Sequence, residues 1–239
     1  MKTEDSPHNG RGLTAEADRF EHISRSLLAA STFLDGAQAA LTRTVYRALV
    51  QGAPVSIDTV AATAGFSADR AEELLAQGPG LTRDDRGAIV GYGGLTLRET
   101  KHQFRIDGKR LYTWCALDAL FLPVVIGRGA DVVSISPTTG ETVRVRVEAD
   151  GTSTSALEGV MVSFVTPQTP LAADVRARFC CFVHFFESRD VAEQWATTQS
   201  DIEILSLSRA SELGRRLTYR MFGAAPEPVA DAVTPFTIR

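Results

Sequence analysis

Apolar residues recur at steps of three and four through the first fifty positions: Phe20, Ile23, Leu27 and Leu28, then Leu41, Val45 and Leu49. That spacing lines one face of a helix, so helix is predicted from Leu13 to about Leu49. Residues 1 to 12 are polar and read as a flexible tail. Next comes PVSIDTVAATAGFSADRAEELLAQG, where Ser56 or Asp58 can cap one helix and Ser67 a second starting near Ala68. The AGFS joint carries the glycine of a helix-turn-helix corner. LTRDDRGAIVGYGG then reads as a hairpin with Asp85, Arg86 and Gly87 at its tip. Helices followed by such a hairpin predict a winged-helix-like domain over residues 13–95.

From Thr96 the pattern changes. LTLRETKHQFRID is strand-like in part. TWCALDALFLPVVIG is a long apolar run that predicts a buried helix, with Cys115, Ala119 and Leu122 at helical spacing. In ADVVSISPTTGETVRVRVE, Val143, Val145 and Val147 alternate with charge and PTTG makes a turn, which predicts a hairpin. GVMVSFV predicts a strand. RFCCFVHFF is apolar at nearly every position, which predicts a central strand buried on both faces. Helices follow over about Asp190–Thr198 and Ser208–Phe222, with IEILSLS between them. The fold class expected is α+β. The winged-helix-like domain precedes a domain with a mixed or antiparallel sheet over residues 96–239.

Composition narrows the function classes. The 239 residues are 44% hydrophobic and 23% charged, an ordinary balance for a soluble chain able to bury a core unaided. No run approaches the roughly 18 apolar residues of a membrane span. The polar N-terminus lacks the apolar segment of a signal peptide, so the expected compartment is the cytoplasm. Three cysteines make no disulfide framework, and in a reducing compartment they stay free. The net charge of −4 gives no general attraction to nucleic acid or membrane.

A winged helix raises the question of DNA. A DNA reader places Lys and Arg on the second helix of the motif to meet phosphates. Here that helix reads SADRAEELLA, with Asp69, Glu72 and Glu73 against the single Arg70. The motif is read as a packing module, with a thiol-based regulator responsive to mercury or another soft metal as the alternative.

The cysteines carry the chemistry. Cys180 and Cys181 are adjacent in RFCCFVHFF, and Cys115 lies in the other apolar run. A buried free cysteine is commonly just a small hydrophobe. Zinc fits poorly, since it favours four ligands in paired spacings, and His184 is the one histidine near a cysteine in sequence. Asp118 favours a functional reading. It lies three residues after Cys115, on the same helical face, and a carboxyl in so apolar a run is costly to bury as the anion. Its pKa should rise enough to hold a proton near neutrality. Thiols beside a protonatable carboxyl suit soft-metal chemistry with proton transfer, and mercury(II) is the softest, lowest-coordinate case. Neighbours on a strand point to opposite faces, so only one of Cys180 and Cys181 should face Cys115.

The segments GYGGLTLRET, RLYTWCALDALFLPVVIGR, PLAADVRARFCCFVHFFES and AEQWA resemble the organomercurial (alkylmercury) lyases, from about Val45 to Met221. The resemblance implies a winged-helix-like part joined to a catalytic α+β part. It implies cleavage of a carbon–mercury bond to a hydrocarbon and Hg(II), without a cofactor, the Hg(II) passing to cellular thiols or a mercuric reductase. Carried over residue by residue, the family's catalytic cysteine and aspartate fall on Cys115 and Asp118, and its second catalytic cysteine on Cys180. Cys115 and Cys180 would hold mercury and Asp118 would shuttle the proton. Cys181 is read as core packing, with Asp118 and Cys181 as secondary mercury contacts. Trp114, Leu117, Phe121 and Phe182 are the expected apolar wall around the organic group. The chain departs from the family pattern in having Ser136 where members often carry a further cysteine, and one extra glycine in GYGGLTL.

Overall fold

The computed structural model describes residues 8–78, 80–167 and 175–223, with side chains from residue 16 onward. Helix α1 (His8–Ala30) begins inside the stretch expected to be a tail, of which residues 1–7 lie outside the described part. The helical stretch expected up to Leu49 is broken after Ala30. Asp35 opens the next helix, α2 (Gly36–Leu49), by accepting the Gln38 N–H at 2.8 Å. A short carboxylate at that position satisfies an amide that has no partner inside the helix. Of the two candidates Ser56 and Asp58, it is Ser56 that caps α3 (Ile57–Ala64), Ser67 caps α4 (Ala68–Ala76) as the sequence predicts, and Gly65 ends α3 with φ of 77°. The wing follows as β1 (Leu81–Arg83) and β2 (Ile89–Tyr92).

The wing does not stand apart. Strands β3 (Leu95–Thr96), β4 (His102–Ile106), β5 (Lys109–Thr113), β6 (Ala130–Ile135), β7 (Thr142–Val147) and β8 (Ser153–Thr154) extend it. They form one eight-stranded sheet in the order β1-β2-β3-β5-β4-β6-β7-β8, every adjacent pair antiparallel. The boundary expected at 95/96 falls inside β3, so backbone hydrogen bonding runs unbroken from the wing into the second half. A smaller antiparallel sheet, β10-β9-β11, is built from β9 (Met161–Val165), β10 (Phe185–Phe186) and β11 (Ile202–Ser206).

Against β4, β5 and β7 of the larger sheet packs α5 (Ala116–Ile126), whose every residue is buried. A helix apolar all round has no solvent face and must sit at the centre. Helix α8 (Leu207–Phe222) crosses it closely. At Gly214 an added Cβ would lie 3.3 Å from the Leu120 backbone carbon, so glycine permits the approach. Helix α7 (Arg189–Ala196), capped by Ser188, covers the smaller sheet.

The expected central strand through RFCCFVHFF is not formed. The segment is a short helix, α6 (Val175–Arg178), then a 3-10 turn at Cys180–Phe182, and only Phe185–Phe186 pair as a strand. The Phe182 N–H bonds to the Phe179 carbonyl and the Val183 N–H to that of Cys180. Local turns therefore satisfy this backbone. A short apolar run signals burial, and periodicity alone does not say which backbone is buried. Among the described residues no helix is long and apolar enough to cross a membrane.

Candidate active site

Two chain segments meet at the start of α5. Cys115 is its N-cap, and the Asp118 carboxylate reaches back to accept the Cys115 N–H at 3.0 Å. This is the reciprocal bond of a capping box, with a thiol at the cap. The pair was expected to share a helical face; they meet instead as cap and third helical residue. Thr113 fixes the entry by donating its hydroxyl to the Cys115 carbonyl at 3.0 Å. The 3-10 turn is joined to the same helix end, since the Ala116 N–H donates to the Val183 carbonyl at 3.1 Å. Ser163 on β9 fastens the turn from beneath. Its hydroxyl donates to the Phe182 carbonyl at 2.7 Å and accepts the His184 N–H at 3.0 Å. The His184 ring donates through Nε2 to the Cys181 carbonyl at 2.8 Å. No motif in the sequence marked Ser163, and His184 entered only as a neighbour of the cysteines.

These ties place one donor atom each of Cys115, Asp118 and Cys180 within 4.8 Å of one another, all three residues buried. Cys181 points away. It is exposed, not core-packed as expected, and its thiol donates to the Ala177 carbonyl at 2.8 Å. One of the vicinal pair faces Cys115, as strand alternation predicted, but a 3-10 turn produces the divergence. Ser136 is buried outside the cluster.

Burial dominates the electrostatics. It raises the Asp118 carboxyl to about 6, against the pull of hydrogen bonds from Cys115 and Trp114 and of the Arg176 charge. Burial likewise pushes the Cys115 thiol well above its usual range, helped by Cys180 and by the Asp118 charge. The His184 imidazole is held below its ordinary value by burial, which keeps it neutral as a donor to Cys181.

A cavity of about 90 Å³ reaches the cluster at Asp118 and Cys180, while Cys115 lies behind them, outside its lining. Of the expected apolar wall, Trp114, Leu117 and Phe121 line it and Phe182 does not; Leu34, Phe179, Leu217 and Met221 complete it. The wing contributes backbone alone, at Gly93 and Gly94. The Arg176 guanidinium lies 5.2 Å above the Trp114 ring. On α4, Arg70 is paired with Glu73, and the wing's Arg83 with Glu72, so acidic side chains hold both cations.

Comparison with known proteins gives the family and the fold. The family model described as alkylmercury lyase matches residues 95–219, and the one described as the helix-turn-helix domain of alkylmercury lyase matches residues 21–93. The chain is 41% identical over 183 residues to an alkylmercury lyase of Pseudomonas putida, covering 77% of this chain and 85% of that one. It is 39% identical over 186 residues to that of Staphylococcus epidermidis, covering 78% and 85%. The crystal structure of the mercury-bound form of MerB2 superimposes with a TM-score of 0.65 at 23% identity, over 87% of this chain and 98% of that one, and so shares the fold. The chain belongs to the alkylmercury lyase family of enzymes.

Proposed function

We propose that this protein cleaves the carbon–mercury bond of organomercurials by protonolysis, with Cys115 and Cys180 as the sulfur donors and Asp118 as the proton carrier. The observation that supports this most directly is the buried group of two thiols and one carboxyl within 4.8 Å. The carbon–mercury bond is weakly polarised, so electron density must be driven toward carbon before a proton can be accepted. Two thiolates on mercury do this. One thiol displaces the exchangeable ligand on mercury, which leaves with that thiol's proton, and the other thiol adds its S–Hg bond as its proton passes to the Asp118 carboxylate. The carbon–mercury bond then breaks with its electron pair on carbon, and Asp118 returns the proton there. The products are a hydrocarbon and Hg(II) held by Cys115 and Cys180.

The cavity supports the same reading. Trp114, Leu117 and Phe121 offer apolar contact to the organic group and keep water from the leaving carbon. The two thiols and the carboxyl supply every donor and proton in the scheme, so it calls for no cofactor. Thiols in solution, or a protein dithiol such as a mercuric reductase presents, would remove the Hg(II).

The test is single-turnover release of hydrocarbon from an organomercurial in excess thiol. Cys115→Ser and Cys180→Ser should each abolish release while the fold persists, because a hydroxyl is a hard, weak donor toward mercury. Cys181→Ser should retain most of it, since that thiol faces solvent. An inactive Cys181→Ser beside an active Cys180→Ser would refute the assignment.

A further inference from the structure

We propose that the wing corner Gly93–Gly94, fastened by Tyr46 of α2, is a positioning device for the Asp118 carboxyl. The inference rests on the reading of Asp118 as the proton carrier.

Both glycines have positive φ, 50° and 97°, so the chain turns sharply between β2 and β3. A Cβ at Gly94 would lie 2.6 Å from both Cγ and Oδ1 of Asp118, against 3.4 Å where ordinary contact begins. No side chain separates wing and carboxyl, and the backbone of Gly94 is itself the wall on that side. Across the carboxyl, the Cys115 N–H holds Oδ2 at 3.0 Å. Asp118 is therefore confined between a hydrogen bond and a surface.

The surface is fixed by three bonds. The fully buried Tyr46 donates its phenol to the Gly93 carbonyl at 2.7 Å. The Gly93 N–H donates to the Gly80 carbonyl at 3.2 Å, and the Trp114 N–H to the Gly94 carbonyl at 2.9 Å. The last bond ties the corner to the residue before Cys115, so thiol and wall share one backbone frame. Tyr46 meets no reacting atom on this geometry; it acts through Gly93. Burial foremost, then Tyr92 and the Asp118 charge, keeps its phenol protonated and hence a donor. The helix-turn-helix half of the chain thus has a task in the chemistry that needs no nucleic acid: it closes the side of the site where the carboxyl sits.

Tyr46→Phe and Gly94→Ala test this, each made in the wild type and in Asp118→Asn, with three readouts: Hg(II) stoichiometry, thermal melting, and single-turnover hydrocarbon release against pH. Both variants should still bind one Hg(II). Displacing a reacting group by on the order of 1 Å costs about 10²-fold, the loss expected for Gly94→Ala, with about 10-fold for the milder Tyr46→Phe. The acid limb of the pH profile should move with the loosened carboxyl. In the Asp118→Asn background neither change should slow release further, because the group it positions no longer carries a proton. A purely structural role would lower melting temperature alone, leaving rate per folded molecule and pH limb unmoved, and that result overturns the proposal. So does an equal fold-loss in both backgrounds. Wild-type release from Asp118→Asn itself would instead remove the reading beneath it. Should Gly94→Ala fail to fold, Tyr46→Phe, which deletes only a hydroxyl, decides the question.

Discussion

Asp118→Asn should stabilise the protein at neutral pH while disabling it. An ordinary aspartate titrates near 3.8, and burial in this cavity raises Asp118 to about 6. The folded state therefore binds this proton more tightly than the unfolded chain does. Stability from the carboxyl is complete below the unfolded value near 3.8 and is lost as pH rises through about 6. A shift of roughly two units at 1.36 kcal/mol each amounts to about 3 kcal/mol by pH 8. Asparagine stays neutral throughout, matches the carboxyl in size, and can still offer its amide oxygen to the Cys115 N–H. Its stability advantage over the wild type should be near zero at pH 4, open through pH 5 and 6, and level off near 3 kcal/mol above pH 7. Urea denaturation at each pH measures the gap; by heat it corresponds to roughly 6–12 °C for a chain of this size. Hydrocarbon release should meanwhile fall by about 10²–10⁴-fold. A gap that does not change with pH, or a variant less stable than wild type at pH 8, would refute the claim that the buried charge is what raises the pKa.

Two further outcomes follow from the same geometry. Single-turnover release by the wild type should rise with pH through about 6, because Asp118 must be a carboxylate to take the thiol's proton, and that limb should be absent in Asp118→Asn; stopped-time hydrocarbon assays from pH 5 to 8 check it. Duplex DNA should not be bound at physiological salt with or without Hg(II), since Glu73 and Glu72 hold Arg70 and Arg83; a mercury-dependent mobility shift at sub-micromolar protein would revive the regulator alternative.

Where a local signal was unambiguous, the sequence was readable to within a residue or two. Ser67 caps the helix it was assigned, Ser56 proves to be the cap where Ser56 or Asp58 was expected, and Gly65 ends that first helix in the left-handed region. The β4–β5 hairpin was missed although its signal is present. Asp107 and Gly108 both take positive φ, as a two-residue turn requires, and IDGK spells the favoured Asp-Gly pair. RFCCFVHFF failed for a different reason. Its burial comes from contacts distant in sequence: Ser163 from β9 and the start of α5 hold the turn, so no local periodicity could distinguish it from a strand. The continuity of the wing with the main sheet was likewise hidden. It depends on Leu95 and Thr96 pairing with β5, a contact that composition does not reveal.

The raised pKa values have a common sense on the proposed mechanism. A Cys115 thiolate would be a buried anion beside a carboxylate, and the structure disfavours it: burial holds Cys115 as the neutral thiol. Mercury reverses that balance, because a coordinated thiol loses its proton outright. On the proposed mechanism the proton would thus be released only when substrate arrives, beside a cavity walled by Leu117, Phe121 and Phe179. Asp118, the one carboxyl in the cluster and poised at about 6, would receive it. A carboxyl at the ordinary value would take the proton too weakly to carry it. One raised far above 6 would already hold a proton at neutral pH and could not accept the thiol's. On this proposal the intermediate value would let one group act as base toward sulfur and then as acid toward carbon, which ties the depth at which Asp118 is buried to the order of the two steps.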